Sequence, residues 1–528
     1  MTWKILDCTI RDGGYYTDWD FDQKLVKKYF NEIETLPVNI IEVGYRSHVK
    51  DKYFGEYYYL PTSTINKLHE WGNGKISLAL MLNAKEFCVD DVVSILDGCQ
   101  GIIELIRFAI APDNISSGIN LAGEVKRAGF NVTLNIMYLH EIIKDTSLFE
   151  SICGELESAA DKIDYVYFVD SYGSCMPEEI HKFFLLSRQR ISQKIGFHGH
   201  DNIGLAFANT LSAINAGVDI VDSTILGMGR GAGNARTELL AAYFAKQQGS
   251  AIDLSAISEL VEEFILLQKK YEWGSSIPYI VSGFEQLPQK EVMELTSKRR
   301  YSTGSIVKML QGNLSNGDTV PHYPNLNDSK LKKQEDHIKT AIIIGGGGTA
   351  IRHNEAVIEY STRGNTLIIH SSLKNVESYK DYDGLQVACL VGEEANKMSN
   401  VGKEIDKIHT FIVSSSPRIE QQLPESWNDR TFTVNPLWTD SNKKGNTNES
   451  PLNLSLSIAR EMKVDKVLLV GFDGYPAGKV ETKVLAEEVQ QTIDQFLNDY
   501  PEITLHSITP TLYKVPQSSV YACLSDNN

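Results

Sequence analysis

Tyr165-Val166-Tyr167-Phe168-Val169 is apolar at every position. A strand with one wet face would alternate, so an unbroken apolar run suits a parallel strand covered on both faces. Runs of the same kind recur on either side of it, at Trp3–Cys8, Asn39–Gly44, Lys75–Met81, Ile102–Ala109, Asn131–Met137, Lys194–His200 and Asp219–Leu226. Helical stretches such as Asp22–Thr35 and Met176–Gln189 fall between them. Eight strands alternating with helices predict an α/β fold, the (β/α)8 TIM barrel, over residues 1–250. A doubly wound open sheet is the structural rival; the count of eight and the length favour the barrel.

Residues 251–311 read as a helical extension, with Leu254–Tyr271 strongly periodic. Residues 312–336 carry Asn-Gly, two prolines and Asn-Asp-Ser before Lys-Lys-Gln-Glu-Asp, the composition of a linker. A second α/β pattern fills 337–528. Candidate strands are Thr340–Ile344, Thr366–His370, Gln386–Val391, His409–Val413, Lys466–Val470 and Thr504–Ser507, with a helix over Ala350–Ser361. This pattern predicts a doubly wound, Rossmann-like domain.

The chain has 528 residues, with 51 Lys and Arg against 68 Asp and Glu, a net charge of −17. That balance argues against a nonspecific binder of nucleic acid or of an anionic membrane. The apolar runs fall well short of the roughly 18 residues a membrane span needs. The chain opens without a basic, then apolar, secretory leader, and the seven cysteines are scattered with no CxxC pair. Reduced thiols and a cytoplasmic protein are expected.

Three segments carry chemistry. The first run leads into Asp7-Cys8-Thr9-Ile10-Arg11-Asp12-Gly13-Gly14, and barrel sites sit at the carboxyl ends of strands. The seventh ends in His198-Gly199-His200-Asp201-Asn202; residues at i and i+2 share a strand face, so the two imidazoles can meet at one metal. After the eighth comes Gly227-Met228-Gly229-Arg230-Gly231-Ala232-Gly233-Asn234. Alternate glycines let the backbone approach a ligand. Asn234 is expected to begin the next helix, as a cap or as a metal ligand. Paired buried histidines without a metal are the bland alternative for His198 and His200, and a surface ion pair is the alternative for Arg11 and Asp12.

Together with Asp170-Ser171-Tyr172-Gly173, these segments resemble, in content and order, the hydroxymethylglutaryl-CoA lyase-like superfamily of metal-dependent lyases, aldolases and Claisen synthases. Within it the chain looks most like the 4-hydroxy-2-oxoacid (4-hydroxy-2-oxovalerate type) aldolases. The match is dense from residue 5 to about 245 and stops at the linker. The resemblance implies Asp12, His198 and His200 as ligands of Mn²⁺ or Mg²⁺, with Asn234 a ligand in some members. It implies Arg11 at an enolate, and Asp170 and Ser171 in a segment that holds the oxo acid. The implied reaction joins or parts a pyruvate-type enolate and an aldehyde, in a homo-oligomer.

One position departs. Where the aldolases carry a histidine after Arg-Asp-Gly and one more residue, this chain has Tyr15, a poorer base at neutral pH. The acidic residue and glutamine of the condensing synthases are absent there too. Glu42 and Arg107 are expected to face the barrel interior, either paired or touching substrate; Arg46 could hold an anion or be solvated. A Claisen-type acyl-CoA synthase, a two-histidine, one-carboxylate iron oxygenase and a degenerate barrel scaffold are the rival readings.

In the second domain Gly345-Gly346-Gly347-Gly348 joins a strand to a helix, a turn that can offer amides and a helix start to phosphate. It lacks GxGxxG spacing and a Walker lysine. Asp473, in Gly471-Phe472-Asp473-Gly474, marks a second candidate edge. The half resembles Rossmann-like modules of surface-glycan synthesis, some of which bind nucleotides or sugar nucleotides. A sugar-derived aldehyde is the acceptor that this suggests.

Overall fold

The eight apolar runs become the strands of one closed parallel ring: β1 (Lys4–Asp7), β2 (Ile40–Tyr45), β3 (Ser77–Asn83), β4 (Ile103–Ile110), β5 (Asn131–Ile136), β6 (Tyr165–Asp170), β7 (Lys194–Gly199) and β8 (Ile220–Ser223). The computed structural model describes residues 3–249, 254–311, 322–394, 407–415, 423–438, 450–475 and 480–525. Ring closure pairs β1 with β8, Lys4 opposite Ile220 through Asp7 opposite Ser223.

Strand parity explains the interior. Leu6, Ile40, Leu105, Tyr165 and Ile220 form an apolar plug inside the ring with Cys8, Ala79 and Tyr167. Two residues further along their strands, on the same face, stand Glu42, Arg107 and Asp222, all buried. The inside therefore changes from apolar to charged along the strand direction. Gly196 makes room for the Tyr167 ring, since a Cβ there would lie 2.5 Å from it. Opposite parity sends Ile5, Ile41, Ile106, Val166 and Val221 outward into the main core.

The chain divides into two units between Val292 and Met293. The boundaries expected at 250, 311 and 336 differ from this. The helices Ser258–Tyr271 and Ile277–Phe284 belong to the barrel unit, and the helix Thr303–Leu310 to the second. The first part of the expected linker, 312–321, lies outside the described residues. Its remainder is not a loose connector: Leu326 and Leu331 are buried in the core of the second unit. The local Asn, Asp and Lys content hid two apolar anchors at a spacing too short to register as periodic.

The second unit is a seven-stranded parallel sheet: β9 (Thr340–Ile344), β10 (Thr366–His370), β11 (Gln386–Cys389), β12 (Thr410–Ser414), β13 (Thr431–Val434), β14 (Lys466–Val470) and β15 (Thr504–Ser507), in the order β13-β12-β11-β10-β9-β14-β15. Ile343, Ile369 and Leu469 pack to one side with the helix Pro451–Glu461, while Ile342, Ile344, Ile368 and Leu468 pack to the other with Ala350 and Val357. β13 was not among the expected strands; four residues at a sheet edge, half of them only partly buried, carry little apolar signal. The expected helix over Ala350–Ser361 is split at His353 into Gly348–Arg352 and Asn354–Arg363. Among the described residues no helix is long and apolar enough to cross a membrane. All seven cysteines are free, and Cys389 is buried in β11.

Candidate metal centre

Three side chains meet at the carboxyl ends of the ring. Asp12, His198 and His200 each bring a ligand atom within 4.8 Å of the others. β7 carries His198, and His200 follows one residue past its end, so the pleat sends both rings the same way, 4.9 Å apart between centroids. Asp12 is not on a strand-end loop. The chain turns from β1 directly into the helix Thr9–Thr17, and Arg11 and Asp12 lie in its first turn.

Each histidine is oriented by its far nitrogen. His198 Nδ1 lies 2.9 Å from Asp222 Oδ2, and His200 Nδ1 donates to the Asp170 carbonyl at 2.9 Å. Protons held at Nδ1 leave the Nε2 lone pairs for a cation. Burial, with His198 adding to it, pulls the His200 pKa down to about 3, so that ring stays neutral. Burial alone would raise the Asp12 pKa, but Arg11 and the two histidines hold it below the ordinary carboxylate value. Asn234 Nδ2 donates to Asp12 Oδ2 at 2.5 Å, while its Oδ1 is buried without a hydrogen-bond partner among the described residues. Two imidazole nitrogens, a carboxylate and an orphaned amide oxygen are the donor set of a divalent cation with mixed oxygen and nitrogen ligands. Asn234 does not begin a helix as expected. It pairs with His200 in an isolated bridge, and the helix Thr237–Gln247 starts three residues later. The cluster Cys8, His198 and Asp222 also has ligand spacing, but it uses the His198 nitrogen already held by Asp222 and a thiol that burial keeps protonated.

Arg11 is clamped by two carboxylates. Its Nε donates to Glu42 at 2.7 Å and its Nη1 to Asp12 at 2.5 Å. Arg107 lies 3.1 Å from Glu42 and 2.7 Å from Asp222, its guanidinium 4.4 Å from the Tyr167 ring centre. Arg107 and then His198 outweigh burial and draw Asp222 down to about 2. An unbroken chain of ion pairs thus runs Asp12–Arg11–Glu42–Arg107–Asp222 and ends in the hydrogen bond between Asp222 and His198.

A cleft of about 180 Å³ opens onto the cluster, lined by Arg11, Asp12, His198 and His200 together with Tyr15, Ser171 and Arg230. Other expected site residues lie elsewhere. Glu42 and Arg107 are fully buried behind it and hold each other; Asp170 accepts from the Ser174 and Cys175 amides. Arg46 is spent on the Asp97 carbonyl and Cys99. Of the two readings of Glu42 and Arg107 the structure shows the pair, and Arg46, half-buried on these partners, is not among the residues that line the cleft. Ser171 lines the cleft and accepts from the Tyr138 amide at 2.9 Å. The Tyr15 hydroxyl lies 3.1 Å from that of Tyr45, and Arg230 sits over the Tyr15 ring. Asp222, Tyr45 and Arg230 were given no role from sequence. A carboxylate in the β8 run Ile220-Val221-Asp222-Ser223 was the available signal, since a doubly covered strand has no reason to bury one.

A parallel barrel with two histidines and a carboxylate converging at its strand ends defines a class of α/β-barrel proteins suited to a divalent cation. The HMGL-like family model matches residues 111–264. A crystal structure of the N-terminal domain of a proposed aldolase from Bacteroides vulgatus is 38% identical, with a TM-score of 0.54, over 58% of this chain and 99% of that one. An oxaloacetate decarboxylase from Mycobacterium tuberculosis is 23% identical over 58% of this chain and 89% of its own length. A 4-hydroxy-2-oxovalerate aldolase from Thermomicrobium roseum is 29% identical over 57% and 79%. The chain belongs to the HMGL-like family through this barrel.

Proposed function

We propose that the barrel is a divalent-metal-dependent carbon–carbon lyase acting on a pyruvate-type 2-oxo acid, in the aldol direction or its reverse. The observation that carries the reading is the Asp12, His198 and His200 cluster with the Arg11 guanidinium fixed beside it at the floor of a cleft. Those three residues, with Asn234, would hold Mn²⁺ or Mg²⁺, which when bound supplies Lewis-acid polarisation of the oxo acid. Arg11 presents a preorganised positive charge to the oxygen on which enolate charge develops, and Glu42 keeps it from swinging away. The Ser171 hydroxyl, which accepts from the Tyr138 amide, lines the cleft that would take the oxo acid. The Tyr15–Tyr45 hydroxyl pair offers a proton path at the mouth, where an aldehyde enters. Among the described residues no carboxylate pairs with Arg230, so its charge is available to an anionic group on the second substrate. A sugar-derived aldehyde acid fits that demand.

A second reading is favoured by one observation. Among the cleft-lining residues no histidine or carboxylate stands apart from the three cluster members, so no ordinary base faces an acceptor hydroxyl. Decarboxylation of a 3-carboxylated oxo acid such as oxaloacetate reaches the same enolate without that base. Incubating metal-loaded protein with pyruvate in heavy water tests the common step: deuterium enters the methyl group only if an enolate forms. Exchange should need the metal and vanish with a chelator. Aldehyde capture then separates aldolase from decarboxylase, which instead releases carbon dioxide from oxaloacetate. Folded, metal-loaded protein that exchanges no deuterium would overturn both readings.

A further inference from the structure

The second unit has a cleft of its own, about 640 Å³, with no part in the barrel chemistry. It lies where the chain reverses its direction across the sheet. From β9 the strands run outward to β13, and from β14 outward to β15, so the neighbours β9 and β14 send their connections to opposite sides. In open α/β sheets the crevice beyond the strand ends at such a point takes ligands.

The loops after β9 and β14 are laced together there. Gly345 donates to the Val470 carbonyl and Gly347 to the Gly471 carbonyl, each at 2.8 Å. Asn375 Nδ2 holds the carbonyls of Gly345 and Gly347 at 2.9 and 3.1 Å. A Cβ on either glycine would lie 2.6 Å from the Gly471 carbonyl, so those two positions serve the lacing. Gly346 and Gly348 differ. Their amides donate to no group among the described residues, and a Cβ on either would meet nothing closer than 3.5 Å. The backbone is bare at these two alternate positions of the cleft wall.

The cleft wall carries four cations, Lys298, Arg299, Arg300 and Lys374, against three carboxylates, Glu394, Asp473 and Glu488. Lys298 and Arg300 share one carboxylate, Glu488, at 3.0 and 2.6 Å. Asp473, expected to bind a ligand, is spent on the loop, accepting from the Thr349 amide at 3.0 Å and from its hydroxyl. Lys374 lines the cleft beside Gly346 and meets no carboxylate among the described residues. At the end of β10, where a dinucleotide fold places a carboxylate for ribose hydroxyls, this chain has Ser371, Ser372 and Lys374. The Ser371 hydroxyl is spent on the Ile344 carbonyl, and the Ser372 hydroxyl with the Lys374 cation suits phosphate rather than a sugar diol. Phe472, Tyr475 and Tyr513 line the same space and offer faces for a planar ring.

We propose that this cleft binds a nucleoside diphosphate, its phosphates against the Gly346 and Gly348 amides and Lys374, and its base against the aromatic residues. A free nucleotide and a nucleotide-activated sugar share that chemistry. Calorimetry on the full chain, with ADP, GDP, UDP, CDP and UDP- or GDP-linked sugars, tests it. Saturable heat is expected for at least one base, weakened at least tenfold by Gly346→Asp and by the surface change Lys374→Gln. Tighter binding of a sugar-linked form than of its parent diphosphate assigns the activated sugar; the reverse order assigns the free nucleotide. Inorganic pyrophosphate binding as tightly as any nucleotide would overturn the role of the base. The site is overturned if no ligand binds at millimolar concentration to a chain whose second unit melts cooperatively, or if binding survives both substitutions.

Discussion

Inside the ring of β1–β8 the buried side chains include Glu42, Arg107, Asp222 and His198, tied end to end by ion pairs and, between Asp222 and His198, a hydrogen bond. The middle of the second sheet buries Ile342, Ile343, Ile344, Ile368 and Ile369, together with the polar pair His370 and Gln386. Both are parallel sheets covered by helices. They differ because a closed ring has an inside that its own strands can fill with chemistry, whereas an open sheet has only its strand ends. The barrel therefore accepts the desolvation of several charges beneath its cleft and offsets it by pairing. The second unit keeps an apolar centre and leaves its polar groups at the edge crevice.

The comparison can be broken in order of expected effect. His200→Ala should reduce bound metal and pyruvate exchange to background; metal analysis and deuterium exchange on a folded variant with both intact would remove the centre. Arg107→Met should cost about 3–5 kcal/mol in denaturant unfolding, because Glu42 and Asp222 would be left as unpaired buried charges. A loss below about 1 kcal/mol would mean that the charged interior is not a balanced network.

His370 sharpens the other side. Burial lowers its pKa from 6.5 to about 4, and its Nε2 bonds the Gln386 amide oxygen at 2.8 Å. The unfolded chain takes up a proton below pH 6.5 that the folded sheet refuses. Stability of the second unit is therefore full above pH 6.5 and falls as the pH drops toward 4, by about 3 kcal/mol over that window. Replacing His370 by Gln should flatten this slope; an unchanged slope in pH-dependent melting would assign the effect elsewhere.

Arg11→Lys should keep the metal and slow exchange about 10²-fold, since a point charge cannot span Glu42 and Asp12 as the fork does. Tyr15→Phe carries the smallest expected change in exchange, none, while carbon–carbon chemistry with an aldehyde slows. If exchange falls as well, Tyr15 acts on the oxo acid.

Strands were legible because parallel strands buried on both faces are apolar throughout; β13 was not, being short and at an edge. The spacing of His198 and His200 revealed a site because strand parity is a local rule. What supports that site was hidden. Nothing near Asp222 in sequence shows that it will orient His198, and Glu42 looks the same whether it touches substrate or clamps Arg11. Such roles depend on which strands become neighbours across the ring. In the glycine turn the strand ending at Ile344 was legible and so was a helix after it, but not that this helix starts at Gly348 and breaks after one turn at His353.

Closure of the ring has a consequence for the order of events in folding. Cys8 donates to the Ser223 carbonyl and Lys4 to that of Asp219, contacts that join the ring's first strand in chain order to its eighth. Asp12 lies just beyond that seam on one side, with His198 and His200 on the other. A nascent chain with seven strands made has both histidines but no fixed carboxylate to meet them. The cation pocket is completed when β8 docks on β1, a loop of more than 200 residues whose closure is entropically slow. Metal uptake during refolding thus becomes a clock for the final strand: it should follow, and never precede, the recovery of barrel secondary structure.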